Sequence, residues 1–434
     1  MSQYRAYPAY KDSGIEWIGQ VPEHWKVARV KRLASLRNER RNDVSTDTIY
    51  IGLEDVEAGS GQYKPTNGSS RQSEDSTVGI FYEGDVLYGK LRPYLRKAII
   101  SEMAGCCSTE FLVLRAEKTE PRWLQEWLLT PDVTHQIESG CEGAKMPRAD
   151  WGHIGSIEVV YPDRPEQAQI LTTLDRETAR IDALVEKKTR FIELLKEKRQ
   201  ALITHAVTKG LDPNVKMKDS GVEWIGQVPE HWEVKPFKYI LSAPMSYGAN
   251  ESAESDDPNH PRYIRITDLT ENGTLREDTF KTLPWNKAYS YLLSDGDILL
   301  ARSGATVGKS FLYRETNGAA CFAGYLIKAS CDEEKALPKY IYAYLQSHSY
   351  WEYISGSNIQ STIQNVSAEK YSSMVLPVPQ REEQATIAAT LDRETARIDA
   401  LIGKAEQSIT LLKERRSAFI TAAVTGQIDL RGKQ

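Results

Sequence analysis

KDSGIEWIGQVPEHWKV, residues 11–27, returns as KDSGVEWIGQVPEHWEV at 218–234, and 15 of the 17 positions agree. A repeat of that length makes the chain an internal duplication, and its period governs every local reading of the sequence. LDRETARIDAL, at 174–184 and again at 391–401, is identical at all 11 positions, and the tails beginning at Leu194 and Leu411 align without a gap. The first pair is offset by 207 residues and the second by 217, so the material between them differs in length by ten. Those intervening segments have diverged almost completely, keeping landmarks such as EGDVLYGKLR (83–92) against DGDILLARSG (295–304). Constant flanks around diverged middles suggest that the middles were selected to differ.

Length and composition bound the rest. At 434 residues and 49.0 kDa the chain holds more than one domain, since roughly 150 residues is typical of each. Hydrophobic residues at 40%, charged residues at 26% and a mean hydropathy of −0.49 describe a chain with cores and much solvated surface. No apolar run approaches the roughly 18 residues of a membrane helix, and the first residues lack the apolar stretch of a signal peptide, so a cytoplasmic protein without a membrane partner is expected. The net charge of −5 does not advertise a polyanion partner, so any nucleic-acid surface must be local. Five cysteines with no CxxC spacing read as buried thiols and predict no metal site.

The middles read as short strands separated by turn residues, at 49–56, 80–88, 111–115 and 154–161 in the first, and at 263–269, 298–301 and 325–329 in the second. Helices are expected at 122–129 and 338–347. After Pro162 and Pro379 the period changes to about 3.6, beginning at PEQAQI (165–170) and REEQATI (381–387) and running without a further proline, which predicts two long helices. Leu174, Ile181, Leu195 and Leu202 keep a heptad step, joined by Leu184 with Val185 and Phe191 with Ile192, and Leu391, Ile398, Leu412 and Phe419 repeat it. Neither helix can bury such a seam alone. The expected fold is therefore mixed α/β: two globules joined by two long antiparallel coiled-coil helices with pseudo-twofold symmetry. The domain boundaries fall at 1–160, 161–212, 213–377 and 378–434.

Catalytic motifs are weak throughout. SGATVGKS (303–310) approaches a phosphate-binding loop but has Ser303 in place of the first glycine. The tetrapeptide that would hold a flipped base, and a glycine-rich loop for a methyl donor, are both missing; DDPNHP (256–261) is the nearest string. His24 and His231 in the duplicated PEHW have no nucleophile motif repeating with them, and Trp17, Trp25, Trp224 and Trp232 fit a packed docking segment better. Basic strand–loop segments do exist. Residues 84–100 hold Lys90, Arg92, Arg96 and Lys97 against Asp85, with Tyr88 and Tyr94 interleaved, and 296–314 hold Arg302, Lys309 and Arg314 against Asp297. Such segments contact phosphates and base edges. Asn358, Gln360 and Gln364 are side chains suited to adenine, Lys145 and Arg148 to guanine or phosphate. Ser303 joins the DNA-binding candidates with Lys90, Arg92, Arg96, Arg302 and Lys309. Identity at the charged positions of LDRETARIDAL favours a surface that meets the same partner twice, with Arg176, Arg180, Arg393 and Arg397 as its candidates.

Taken together, the duplicated D-S-G-x-E-W-I-G-x-V-P-x-H-W segment, the G-D-[VI]-L landmark, the two diverged globules and the long helix closing each half resemble the DNA-specificity subunit of type I restriction-modification systems. The resemblance covers essentially the whole chain. It implies that each globule is a target-recognition domain for one half of a split, asymmetric site in double-stranded DNA. It implies that the helices set the half-site separation and bind two methyltransferase subunits, and that restriction/translocase subunits join the complex. This chain would then have no catalytic residue and no cofactor, with S-adenosylmethionine, ATP and Mg carried by the partners. The rival reading is a self-contained methyltransferase or nuclease with unrecognised motifs; a coiled-coil scaffold without nucleic acid is a third. Neither accounts for diverged middles between constant flanks.

Overall fold

The computed structural model describes residues 5–45, 47–65, 76–141, 143, 145–270, 273–358 and 365–431. It divides into two compact units, one of residues 1–188 with 407–434 and the other of residues 189–406. Two long helices, Arg164–Lys209 and Arg381–Val424, each contribute residues to both units. None of the helices among the described residues is long and apolar enough to cross a membrane.

In the first unit the strand Val86–Gly89 is buried at every position and pairs antiparallel with Phe111–Ala116 on one side and Ala98–Ile100 on the other. Ala34–Leu36 completes that sheet. An uninterrupted apolar run suits such a central strand, because both of its faces are covered. A second four-stranded sheet, in the order Arg40–Arg41, Val78–Phe81, Gly105–Cys107, Tyr50–Ile51, has one parallel pair. Pro121–Leu129 and Pro131–Ser139 are helices, each with proline in the first turn, where its missing N–H costs nothing. The segment 154–161, read as a strand from its β-branched residues, is half helix. Asp150 caps Trp151–Ser156 by accepting from the His153 N–H at 3.1 Å, and only Glu158–Tyr161 is a strand, paired with Lys26–Arg29. Tyr50–Ile51 and Arg262–Ile264 are likewise shorter than expected, each running into a 3-10 turn.

The second unit repeats the plan. Ile298–Ala301 is buried throughout and lies between Leu326–Ala329 and Ser310–Leu312, with Ser246–Tyr247 at the edge. Glu233–Pro236 pairs with Val375–Val378 as Lys26–Arg29 does with Glu158–Tyr161. The duplicated lead-in forms the same hairpin twice, Tyr10–Asp12 with Gln20–Pro22 and Met217–Asp219 with Gln227–Pro229.

Within each unit a stretch of one long helix lies along a stretch of the other. Leu174 and Ile181 are buried in the first unit, as are Phe419 and Ile420; Ile192, Leu195, Leu391 and Ile398 are buried in the second. Arg416 Nε lies 3.0 Å from Asp182 in the first unit, and Arg199 Nε lies 3.0 Å from Asp399 in the second. These are the same two repeat positions with the helices exchanged, which places the pairs antiparallel within each unit. The seam is narrower than the sequence suggests, because Leu184 and Phe191 are exposed while Ile192 faces inward. A 3.6-residue helix drifts about 20° per heptad against a strict seven-residue repeat, so only one residue of each adjacent apolar pair stays on the contact line.

Candidate nucleic-acid interface

Asp85 and Asp297, the acidic residues of the G-D-[VI]-L landmark, are scaffold. Asp85 is buried, accepts from the Tyr82 N–H at 2.9 Å and takes a two-pronged contact from Arg37 at 2.8 and 3.2 Å. Asp297 accepts from the Ser294 N–H at 2.8 Å and from the Ser330 hydroxyl. Each fixes the turn that launches a central strand, and each strand then delivers its next residues to a surface.

In the first unit the chain leaves Gly89 as Lys90–Leu91–Arg92 and is clamped on both sides. The Lys90 N–H donates to the Glu110 carbonyl at 2.9 Å, while the Lys90 carbonyl accepts from Ala149 and the Arg92 N–H donates to Pro147, both at 2.9 Å. Leu91 bridges Arg148. The two basic patches seen separately in the sequence, 90–97 and 145–148, are therefore one surface. A short 3-10 turn, Pro93–Leu95, comes next, flanked by Arg92 (φ 53°) and Arg96 (φ 49°). These are the two non-glycine residues in the left-handed region among the described residues, a conformation costing an L side chain roughly 1–2 kcal/mol.

The side chains there differ in their commitments. The Arg96 guanidinium donates to the Leu129 carbonyl at 3.3 Å, and Lys97 Nζ to the Leu53 carbonyl at 2.7 Å. Arg148 makes a two-pronged contact with Glu110 at 3.2 and 3.3 Å. Lys90 is half-buried, Lys145 and Arg92 are exposed, and the Tyr94 ring is exposed beside them.

The second unit builds the same clamp with other residues. The Arg302 N–H donates to the Tyr325 carbonyl at 3.1 Å, the Arg302 carbonyl accepts from Val366 at 2.8 Å, and Ser303 bridges Asn365. The 3-10 turn Gly304–Thr306 is next, with Gly304 (φ 74°) and Gly308 (φ 85°) at the left-handed positions. SGATVGKS thus runs from a strand into a 3-10 turn and on to the strand Ser310–Leu312, whereas a phosphate-binding loop has to open a helix. The Arg302 guanidinium lies 4.8 Å from the centre of the Tyr247 ring, and Tyr325 is 61% exposed. Ser303 and Lys309 are half-buried. The side chain of Asn358, and Gln360 and Gln364 altogether, lie outside the described residues.

Register fixes the correspondence: Lys90 with Arg302, Leu91 with Ser303, Arg92 with Gly304, Arg96 with Gly308, Glu110 with Tyr325, and Arg148 with Asn365. One backbone carries two chemistries. Glu110, Tyr247, Tyr325 and Asn365 escape a sequence reading, because the clamp that assembles them joins segments far apart in the chain. The signal available was positional: Glu110 and Tyr325 each precede the strand that pairs with the central one.

On the helices, identity within LDRETARIDAL has internal causes at several positions. Leu174, Ile181, Leu391 and Ile398 are buried. Thr178 and Thr395 donate back to the Leu174 and Leu391 carbonyls at 2.9 and 2.7 Å. Asp175 pairs with Arg122, and Asp392 with Lys339. The arginines are arranged alike in both copies: Arg176 and Arg180 meet Glu177 at 3.4 and 2.9 Å, and Arg393 and Arg397 both meet Glu394 at 3.0 Å. One turn beyond Arg180 and Arg397, Leu184 and Leu401 are exposed at 47% and 45%.

The duplicated histidines join the hairpins to the helix starts. His24 Nε2 lies 2.7 Å from Glu166, and His231 Nε2 lies 2.8 Å from Glu383. Trp25 and Trp232 are fully buried beside them. Burial pushes the Cys107, Cys321 and Cys331 thiols up to about 12, so all three are protonated and unreactive at neutral pH. Burial also raises the Glu126 carboxyl, against the pull of Arg122 at 2.5 Å.

Comparison with known proteins agrees with this architecture. The family described as type I restriction modification DNA specificity domain matches residues 229–411, within the second repeat. The specificity subunit of the type I restriction enzyme EcoDI from Escherichia coli is 22% identical over 205 residues, 46% of this chain and 46% of that protein. The StySPI specificity subunit from Salmonella potsdam is 27% identical over 209 residues, 47% of this chain and 44% of its own. Both alignments thus span just under half the length of these curated relatives. A chain solved in a study of complex assembly and conformational transition of the type I R-M system superposes with a TM-score of 0.74 at 18% identity, covering 95% of this chain and 99% of its own. The fold is that of a duplicated, two-unit protein. Residues 229–411 thus match the type I restriction modification DNA specificity domain, and the chain is similar to the specificity subunits of type I restriction enzymes.

Proposed function

We propose that this chain is the DNA-reading subunit of a type I restriction-modification complex, each unit reading one half of a bipartite, asymmetric site in double-stranded DNA. The observation that carries the proposal is the shared clamp. Lys90, Arg92, Lys145 and Arg148 in one unit, and Arg302, Ser303, Tyr325 and Asn365 in the other, are presented by the same strand end and the same paired segment. A scaffold kept constant while its displayed residues change is what two half-sites of unlike sequence require. Base edges are distinguished by donor and acceptor pattern, whereas phosphate contacts only position. Two unlike units on one chain also escape the palindrome that a symmetric dimer imposes.

The partner-facing surface is repeated too. Arg180 with Leu184, and Arg397 with Leu401, place a cation and an exposed apolar side chain one turn apart on each long helix. This supports two methyltransferase subunits docking alike, with restriction/translocase subunits completing the assembly. In this reading the chain is non-catalytic, and S-adenosylmethionine, ATP and Mg act on the partners. The net charge of −5 is compatible with DNA binding, because partners can supply much of the phosphate contact that drives affinity. The test is reconstitution. The purified chain should transfer no methyl group to DNA, and with the methyltransferase it should saturate at two copies and methylate at a discontinuous sequence. Methylation by the chain alone, or saturation at one copy, contradicts the proposal.

A further inference from the structure

Arg92 occupies a position that the second unit gives to glycine. The corresponding Gly304 has φ 74°, and a Cβ built on it meets nothing within 4 Å. Glycine is favoured there by backbone shape and not by crowding. At Arg92 the first unit keeps the same left-handed turn, at φ 53°, but fills the open space with the largest cationic side chain. Pro93 at the start of the turn fixes its φ, so the side chain leaves from a stiff base.

Strain of this kind persists where something compensates it. Arg96 supplies the comparison within the same turn. It is equally left-handed, its guanidinium donates to the Leu129 carbonyl at 3.3 Å, and a Cβ at the matching Gly308 would lie 2.9 Å from the Trp351 ring. Arg96 has an internal role. The Arg92 side chain, by contrast, is exposed and has no hydrogen bond or ion pair among the described residues. Its backbone is tied into the clamp through the Arg92 N–H to Pro147 at 2.9 Å, next to Lys90 and Arg148. The clamp holds the strained backbone, and the side chain is left available to a group outside the chain.

Resting on the DNA-reading function proposed above, we propose that Arg92 is a specificity-determining contact of the first unit, its guanidinium fork donating to a guanine edge in that unit's half-site. A planar fork on a rigid turn suits the paired O6 and N7 acceptors, a geometry that lysine cannot reproduce. The protein would then retain a destabilising residue for what it recognises.

The experiment uses the full chain reconstituted with its methyltransferase and a panel of duplexes in which each base pair of the site mapped in the host genome is replaced in turn. Arg92→Gly should raise the melting temperature of the chain by about 2–4 °C and relax discrimination by about 5- to 150-fold at one base pair of one half-site. Arg92→Lys should relax the same base pair while retaining more of the overall affinity. Arg96→Gly, which also gives up the contact with the Leu129 carbonyl, should bring no comparable gain in melting temperature. A uniform loss across all duplexes with a shallower salt dependence would make Arg92 a phosphate anchor and overturn the assignment, as would unchanged discrimination. A wild-type complex that fails to distinguish the mapped duplex from a scrambled one would remove the DNA-reading function itself, and this assignment with it.

Discussion

Glu166 accepts from the Tyr7 hydroxyl at 3.0 Å and from Trp25 Nε1 at 3.2 Å, with His24 at 2.7 Å. Its counterpart Glu383 meets His231 at 2.8 Å, while Trp232 Nε1 is buried with no partner among the described residues. Two tryptophans in nearly identical sequence surroundings thus differ by one charge-assisted hydrogen bond, and such bonds contribute about 1.5–3 kcal/mol. Trp25→Phe and Trp232→Phe remove similar volume, so the difference between them isolates the bond. In urea denaturation of the full chain Trp25→Phe should cost about 1–3 kcal/mol more than Trp232→Phe. Equal losses would mean that Glu166 is held by Tyr7 and His24 alone. The sequence marks both tryptophans as packed docking residues, yet it does not distinguish them. The distinction depends on residues from both chain ends, including Arg431, whose guanidinium lies 4.6 Å from the Tyr7 ring centre.

Among the elements, the long helices were the most legible, since uninterrupted periodicity without proline admits few other solutions. The central strands Val86–Gly89 and Ile298–Ala301 were visible as apolar runs. The segment 154–161 reads as a strand throughout in sequence, since Gly152 and Gly155 weaken a helix in isolation. The Asp150 cap and the burial of Ile154 outweigh that penalty, and both are tertiary circumstances. The candidate surface was half legible: its basic residues stood out, while Glu110, Tyr325 and Asn365 acquire meaning only when the clamp closes. On the helices, Arg180, Arg393 and Arg397 pair on their own helix with Glu177 or Glu394, and Arg176 also meets Glu177. Exposed pairs of this kind contribute only about 0.3–0.5 kcal/mol to a fold. Substituting all four with alanine should leave thermal unfolding within a few degrees of the wild type while weakening methyltransferase assembly at least tenfold in sedimentation or calorimetry. Undiminished assembly would return the four arginines to an ordinary solvated surface.

At the scale of the whole chain, duplication gives each unit its own lead-in hairpin, its own strand-end clamp and its own pairing of the two long helices, within residues 1–188 with 407–434 and within 189–406. What the two units do not share is the chemistry displayed on the clamp. The central claim is that each unit reads its own half-site. Replacing residues 27–161 with the corresponding segment of a relative of different specificity, then mapping methylated bases across a genome that expresses the chimera with its methyltransferase, tests that claim most directly. The account predicts a site in which one half-sequence changes to that of the donor and the other half is retained. A chimera that alters both halves, or neither, would contradict it.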